Sequence, residues 1–352
     1  MIEIDGNYLE GGGQIVRTAL ALSTVMQKAV RITCIRKGRD KPGLKNQHLY
    51  GIAGLKELCN AQVEGNYLGS TELTYWPGQI KGGTLNLDIG TAGSISLMVQ
   101  TLLLPALSVK CRLKVTGGTS GKWAMPFDYF SNVLLPHLTK YAKIDAHLLR
   151  RGYYPTGGGR VDIKISPLAE EHRSINQMEQ GTLIQIKGIS HASNDLQKAQ
   201  VAERQAHAAK SVLGTLQCPI QIRAEYCDTL CTGSGITLWA IFSLDPDEID
   251  FRNPILIGAD ALGEKEKRAE SVGNEAAQRL LDEINSKAPV DRHLADSLIP
   301  FLAVYGGQIK VSEITKHTLT NIATCEQFLP NPFSVDAANR IISYVPEKPK
   351  PF

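Results

Sequence analysis

Three groups of residues in the 352-residue chain have the types and spacing to do chemistry on phosphates. The first is Gly11-Gly12-Gly13-Gln14, a glycine-rich turn running into an apolar segment. Such a turn opening a helix presents free backbone N–H groups and the positive end of the helix dipole, which favours an anion. Arg17, one helical turn beyond Gln14, could place a guanidinium over a phosphate bound there, and Glu10 offers a hard oxygen ligand for Mg²⁺. The second group, Gly90-Thr91-Ala92-Gly93-Ser94, has the same form. Glycine loops also serve simply as turns, so the pattern alone leaves both readings open, as it leaves Glu10 open as a solvated turn residue. The third is His317, in Ser312-Glu313-Ile314-Thr315-Lys316-His317-Thr318-Leu319-Thr320-Asn321. A neutral imidazole can attack an α-phosphate, and the phosphorus–nitrogen bond that forms is labile enough to pass the group onward. Local pattern leaves a hydrogen-bonded surface histidine as the alternative.

Familiar nucleotide signatures fail. Gly117-Gly118-Thr119-Ser120-Gly121-Lys122-Trp123 is one residue short of a P-loop, and Trp123 replaces the hydroxyl that would hold Mg²⁺. Gly11-Gly12-Gly13 lacks the third glycine of the dinucleotide fingerprint. The closest match to a lysine nucleotidyl-transferase motif, Glu3-Ile4-Asp5-Gly6, has a carboxylate where the nucleophile belongs. Histidine is the remaining candidate nucleophile if the chain activates a substrate with ATP.

The elements that must position these residues repeat one design: an alternating strand, a glycine-rich loop, an apolar helix. Glu3 to Asp5 precedes Gln14 to Met26, with Ile15, Ala19 and Leu22 on one face. Gly83 to Asp88 precedes an apolar run from Ile95 to Leu107, and Cys111 to Val115 precedes a helix near Asp128 to Thr139. Gly157-Gly158-Gly159 then enters a strand, Arg160 to Ile165. From about Thr182 the texture changes: a strand from Leu183 to Lys187, a polar helix from about Asp195 to Leu213, strands near Ile220 to Tyr226 and Ile236 to Phe242, and a charged helix from about Glu264 to Ile284. The apolar style returns from Leu294 to Gly307, and a helix is expected to begin near Asn321, with His317 between it and a strand-like stretch. The expected fold is α/β (α+β): a large domain of repeated α/β units with a smaller inserted α/β domain. The expected division is 1–182, the inserted 183–285, and 286–352 carrying the last unit. The proline- and lysine-rich tail from Pro346 is read as frayed.

Composition bounds the function. Hydrophobic residues are 43% and no stretch approaches the roughly 20 apolar residues of a membrane span, so a soluble, cytoplasmic protein is expected, with no leader. The seven scattered cysteines read as reduced, mostly buried thiols. A net charge of +3 argues against an extensive duplex-binding surface. From Arg31 to Lys45, however, six cations face a single Asp40, a patch suited to a few phosphates.

Together these segments resemble the RNA 3′-terminal phosphate cyclase family over most of the chain. The resemblance rests on Glu10-Gly11-Gly12-Gly13-Gln14-Ile15 with Arg17, on Ile35-Arg36-Lys37-Gly38-Arg39 with Gln47-His48-Leu49, and on Thr91-Ala92-Gly93-Ser94 with Gln100-Thr101. It extends to Arg151-Gly152-Tyr153-Tyr154-Pro155, Leu294-Ala295-Asp296 and His317-Thr318-Leu319-Thr320-Asn321. It implies that ATP adenylates a histidine, that AMP moves to an RNA 3′-phosphate, and that the neighbouring 2′-hydroxyl displaces AMP to leave a 2′,3′-cyclic phosphate. Carried over residue by residue, His317 is the nucleophile and Glu10 the contact for Mg²⁺ or Mn²⁺. Gln100 touches the triphosphate, Pro126 packs on adenine, and His293, Leu294, Ala295, Asp296 and Ser297 line the nucleotide pocket. Arg17 is a pyrophosphate or RNA-phosphate ligand; Arg36, Arg39 and Gln47 are RNA-phosphate ligands. His293 stands where a tyrosine often stacks on adenine, and Ser297 where glutamine is common, which leaves base selectivity open. The implied partners are RNA 3′-phosphate ends and ATP, without a membrane, and a homodimer is left open. The rivals are a non-catalytic cyclase-like protein of ribosomal RNA maturation, which would lack the histidine, and an enolpyruvyl transferase, which would have no use for it.

Overall fold

The computed structural model describes residues 1–169, 174–245 and 247–346. The expected frayed tail beyond Pro346 therefore lies outside the described residues. Its mixed α/β architecture contains four four-stranded sheets among the described residues.

The first sheet is built from β1 (Ile2–Asp5), β2 (Val30–Thr33), β3 (Gln62–Glu64) and β4 (Leu73–Trp76), in the order β1-β2-β4-β3. β1 and β2 are parallel, and the crossover between them is α1 (Gly13–Met26). Ile15, Ala19 and Leu22 of α1 are buried, as their spacing requires. α2 (Asn46–Cys59) precedes the β3–β4 hairpin. The second sheet repeats the plan with β5 (Gly83–Asp88), β6 (Cys111–Gly117), β7 (Ala142–Arg150) and β8 (Gly159–Pro167), in the order β5-β6-β8-β7. Here the crossover is α3 (Ile95–Ala106), and the second helical segment runs through α4 (Phe127–Tyr129), a π-helical turn at Phe130–Leu134 and α5 (Leu135–Leu138).

β9 (Ile175–Gln177) begins a third unit that the chain completes only much later. Between lie β10 (Thr182–Ser193), α6 (Val201–Leu213), β11 (Ile220–Cys227), β12 (Ser234–Ser243), β13 (Ile255–Leu262) and α7 (Ala269–Asn285). Their sheet has a different order, β11-β10-β12-β13, and an apolar cluster of its own beneath α6 and α7. Then α8 (Arg292–Tyr305) crosses to β14 (Gly307–Lys310), parallel to β9, followed by α9 (Lys316–Glu326) and the hairpin β15 (Ser334–Asp336) and β16 (Ile341–Tyr344). Read from β9, this sheet runs β9-β14-β16-β15, the connectivity of the first two. Three units thus share one plan, and α1, α3 and α8 are equivalent crossover helices.

The sequence reading needs correction at several elements, beyond the short strands β2, β3, β4, β7, β9, β15 and β16 that it left unassigned. α9 begins at Lys316, so His317 lies inside its first turn rather than ahead of a helix at Asn321; Thr315 caps it by accepting the Thr318 N–H at 3.1 Å. The helix expected from Asp195 is broken at Gln200, whose φ of 52° ends a 3₁₀ turn before α6 starts. The charged helix starts at Ala269, five residues later than expected. β13 and α2 were not anticipated. Of the seven cysteines, all free, three are buried and four half-buried. Among the described residues no helix is long and apolar enough to cross a membrane.

Candidate active site

The three equivalent helices bring their first two turns together around one cavity. It is lined by Gln14, Arg17 and Thr18 of α1, Gln100 of α3, and Asp296 and Ser297 of α8, with Leu134 and Asn321 closing the sides. Thr18, Gln100 and Ser297 are each the sixth residue of their helix. The polar side chains cross-link the helices. Thr18 donates to Asn321 Oδ1 (2.8 Å), Asn321 Nδ2 donates to the Asp296 carbonyl (2.8 Å), and Gln100 Nε2 donates to Ser297 Oγ (3.4 Å).

His317 stands at the rim, its imidazole half-exposed, held by Gln14. The Gln14 amide Nε2 donates to the His317 carbonyl at 2.7 Å, while Gln14 Oε1 makes a short hydrogen bond with His317 Nδ1. A backbone carbonyl can only accept, so the amide nitrogen must face it and Oε1 must face the ring. Oε1 is itself only an acceptor, so Nδ1 carries the proton. In the neutral ring the lone pair is then on Nε2, 3.7 Å from Glu10 Oε1. Glu10 is tied to this end of the cleft twice: its N–H donates to Thr320 Oγ1 (3.3 Å) and its carboxylate pairs with Arg39. Arg39 Nη2 also donates to the Glu10 carbonyl, at 3.0 Å.

Arg17 is half-buried, and among the described residues no hydrogen bond or ion pair engages its guanidinium. Burial lowers its pKa to about 10, against the opposing pull of Asp296, so it remains a cation at neutral pH. Burial likewise raises the Asp296 pKa, opposed by His293 and His317. An unpaired, desolvated cation inside a cleft is stabilised by an anion placed beside it.

The two glycine loops differ. The Gly12 N-cap of α1 has no side-chain cap, and its N-terminus adjoins Arg39 and His48. A Cβ on Gly13 would lie 2.1 Å from His48 Nε2, so any other residue there would have to displace that buried ring. The Gly90–Ser94 loop, by contrast, uses its N–H groups internally: Gly90 to Asp88, Ala92 to the Pro155 carbonyl, Gly93 to Thr91. Ser94 caps α3. That loop is a structural turn.

The structure separates the other expected site residues. Leu294 and Ala295 are fully buried in the core, because positions three and four of α8 face inward while five and six face the cavity. His293 is exposed beside Asp260, whose pKa burial raises to about 6. Pro126 is buried at the N-cap of α4 and does not line the cavity. Arg36 donates to the Lys41 and Gly43 carbonyls (2.8 and 3.0 Å), so it holds the loop that carries Arg39. Gln47, near the start of α2, approaches the Gly93 turn. Gln14, Thr18 and Asn321 were missed as site residues. The Gln14-x-x-Arg17-Thr18 spacing, which places three polar side chains on one side of the first two turns of a largely apolar helix, was the available signal.

A cleft of this kind, with a tautomer-fixed histidine, a carboxylate and an unpaired arginine at the junction of three equivalent α/β units, has the chemistry suited to anions in a repeat-built protein. Comparison with known proteins narrows this. Residues 8–335 match the model of the RNA 3′-terminal phosphate cyclase family. A relative from Pyrococcus furiosus carrying that name is 47% identical over 338 residues, covering 95% of each chain. One from Archaeoglobus fulgidus is 45% identical over 334 residues (94% of this chain, 96% of the relative), and one from Methanosarcina acetivorans is 43% identical over 361 (96% and 97%). The chain belongs to the RNA 3′-terminal phosphate cyclase family.

Proposed function

We propose that the protein uses ATP to convert an RNA 3′-terminal phosphate to a 2′,3′-cyclic phosphate, through AMP carried on His317. The observation that supports this most directly is the Gln14 clamp, which leaves the Nε2 lone pair free at the mouth of a cationic cleft. Nε2 attacks the α-phosphorus of ATP, a phosphorus–nitrogen bond forms, and the phosphorus–oxygen bond to pyrophosphate breaks. A 3′-phosphate oxygen of the RNA then takes the adenylyl group and the phosphorus–nitrogen bond breaks. Finally the 2′-hydroxyl attacks the 3′-phosphorus, loses its proton, and AMP leaves. Arg17 and the uncapped start of α1 stabilise the charge that collects on the leaving pyrophosphate. Arg39 and Gln47 are assigned to RNA phosphate, and His293 and Pro126 to the adenine side.

Glu10 fits a Mg²⁺ or Mn²⁺ ion: one carboxylate beside a triphosphate is an ordinary protein contribution where phosphates and water supply the other ligands. Bound there, the ion would neutralise phosphate charge as the bond to pyrophosphate breaks. The 183–285 segment is proposed as an inserted unit of the large domain, in a cytoplasmic protein. Labelled ATP with Mg²⁺ should leave acid-labile, alkali-stable label on the chain. An unlabelled wild type, or undiminished label on His317→Ala, would refute the mechanism.

A further inference from the structure

The β10–β13 sheet has one face under α6 and α7, and its other face is only half covered. Ile189, Trp239 and Leu256 on that second face join the main core. At Gly258 the fit to the body is so close that a Cβ would lie 2.5 Å from the Tyr129 ring. The β12–β13 half is therefore sealed against the helical segment 127–138. The β10–β11 half is not. It opens, round the edge strand β11, into a groove of about 580 Å³ whose walls include Lys187, Arg223, Gln221, Asn132 and Trp239 together with Lys210 of α6 beyond that edge.

The groove is cationic and ordered. Gln221, Lys187 and Trp239 stand in one row across β11, β10 and β12, and Arg223 lies opposite Ile189 in the next row, about 7 Å along the strands. Among the described residues no hydrogen bond or ion pair engages the ammonium group of Lys187 or Lys210. Arg223 meets Glu225 at 3.0 Å, an exposed pair, and Glu225 also serves Arg151. Three cations against one shared carboxylate suit a polyanion rather than an apolar or acidic-and-basic protein face. The groove is also placed for the substrate. Asn132 in the groove and Leu134 in the His317 cavity are two residues apart on one helical turn, so they point to nearly opposite sides of it. Groove and cavity thus flank a single helical segment about 10 Å across.

We propose that this groove binds the single-stranded RNA that leads into the 3′ end, its phosphates on Lys187, Lys210 and Arg223 and its polar edges on Gln221 and Asn132. The proposal rests on the reaction assigned above, which puts the 3′ end in the cavity. It makes the β10–β13 unit a length-sensing part of the substrate site.

The test compares a 3′-phosphorylated dinucleotide with a 3′-phosphorylated decamer, in wild type and in Lys187→Ala/Lys210→Ala/Arg223→Ala. Counterion release gives about 0.7 of a unit of salt slope per phosphate contact on a single strand, so the triple variant should lose about 2 units. At about 0.1 M salt that is a rise on the order of 100-fold in KM for the decamer, with kcat and the dinucleotide unchanged. Lys210→Glu, an exposed change on α6 that the fold tolerates, should weaken the decamer in the same direction. Equal use of the two lengths by wild type, or an unchanged decamer KM in the variants, overturns the proposal. Should neither RNA be cyclised, the reaction assignment fails instead. The groove is then judged by fluorescence anisotropy with a labelled 3′-hydroxyl decamer: loss of binding in the triple variant upholds it, equal binding overturns it.

Discussion

Gln14→Leu is the sharpest probe of the site, because it leaves His317 in place and removes only what holds it. The substitution deletes the 2.7 Å bond to the His317 carbonyl and the bond to Nδ1. Leucine is close in size, and Gln14 is already buried among apolar neighbours of α1, so the helix should tolerate it. At about 1 kcal/mol per hydrogen bond, the ordering of the ring loses about 2 kcal/mol. If that ordering is needed when Nε2 attacks, self-adenylylation should slow roughly 30-fold. The assay is single-turnover incorporation of labelled AMP by rapid quench, with thermal melting to verify folding. A second variant separates orientation from bulk. In Gln14→Glu the carboxylate accepts from Nδ1–H but favours the imidazolium, whose Nε2 has no lone pair. Its adenylylation should therefore move to higher pH, a shift that a merely structural residue would not produce. A folded Gln14→Leu protein labelling within about threefold of wild type would refute the clamp argument, as would a Gln14→Glu profile that does not move.

Arg17→Ala should weaken ATP about 10- to 100-fold, since charge-assisted hydrogen bonds contribute about 1.5–3 kcal/mol; labelling at graded ATP concentrations checks this, and an unchanged half-saturation would remove Arg17 from the site. Arg151, 1% exposed, directly after β7, and paired with Asp128 at 2.6 Å and Glu225 at 2.5 Å, ties the end of that strand to α4 and β11. Arg151→Met leaves Asp128 buried without its partner, so the urea midpoint should fall by the equivalent of about 3–5 kcal/mol. His48 and His137 each have their pKa lowered to about 3, first by burial and then by nearby Arg17 and Lys140 respectively. Both are neutral in the folded protein while the unfolded chain takes up protons below about 6.5. The stability they support is thus complete above pH 6.5 and is lost as pH falls toward 3, at up to about 1.4 kcal/mol per pH unit for each. Urea melts at pH 6.5 and 5 should show a shallower loss for His137→Gln than for wild type.

Where the sequence is legible, local and tertiary demands agree. α1 and α3 follow alternating strands and glycine loops, and their apolar faces are the buried ones. Where it misleads, packing overrules propensity. α2 contains Gly51 and Gly54, which lower its intrinsic helix propensity, yet a Cβ at either would lie 2.9 Å from Thr101 or 2.8 Å from Leu102 of α3. Those glycines let two helices approach closely, a requirement that belongs to the partner helix and leaves no local signal. β13 is similar, with Gly258 pressed on Tyr129. In the third unit it is the first strand that leaves no signal, for another reason: three residues long, it is separated from its crossover helix by the whole of the β10–β13 sheet.

The site shows the same division. His317 and Glu10 could be singled out because each sits in a short stretch of unusual composition. The cavity as a whole has no contiguous motif, because the crossover helices contribute polar residues at equivalent fifth and sixth positions, Arg17 and Thr18, Gln100, and Asp296 and Ser297, to which α1 adds Gln14. A single glutamine in an apolar helix such as α3 says nothing until the helix is superposed on its equivalents. Each repeat must bury its helix against the others, and the polar residue facing the common axis is then the one side chain that packing does not prescribe. Closure of three units therefore produces a polar, desolvated cleft from residues that are individually unremarkable. This accounts for Arg17: at the meeting point of three helices its guanidinium is desolvated and, among the described residues, has no hydrogen-bond or ion-pair partner beyond the pull of Asp296, which suits it to the phosphate role proposed above.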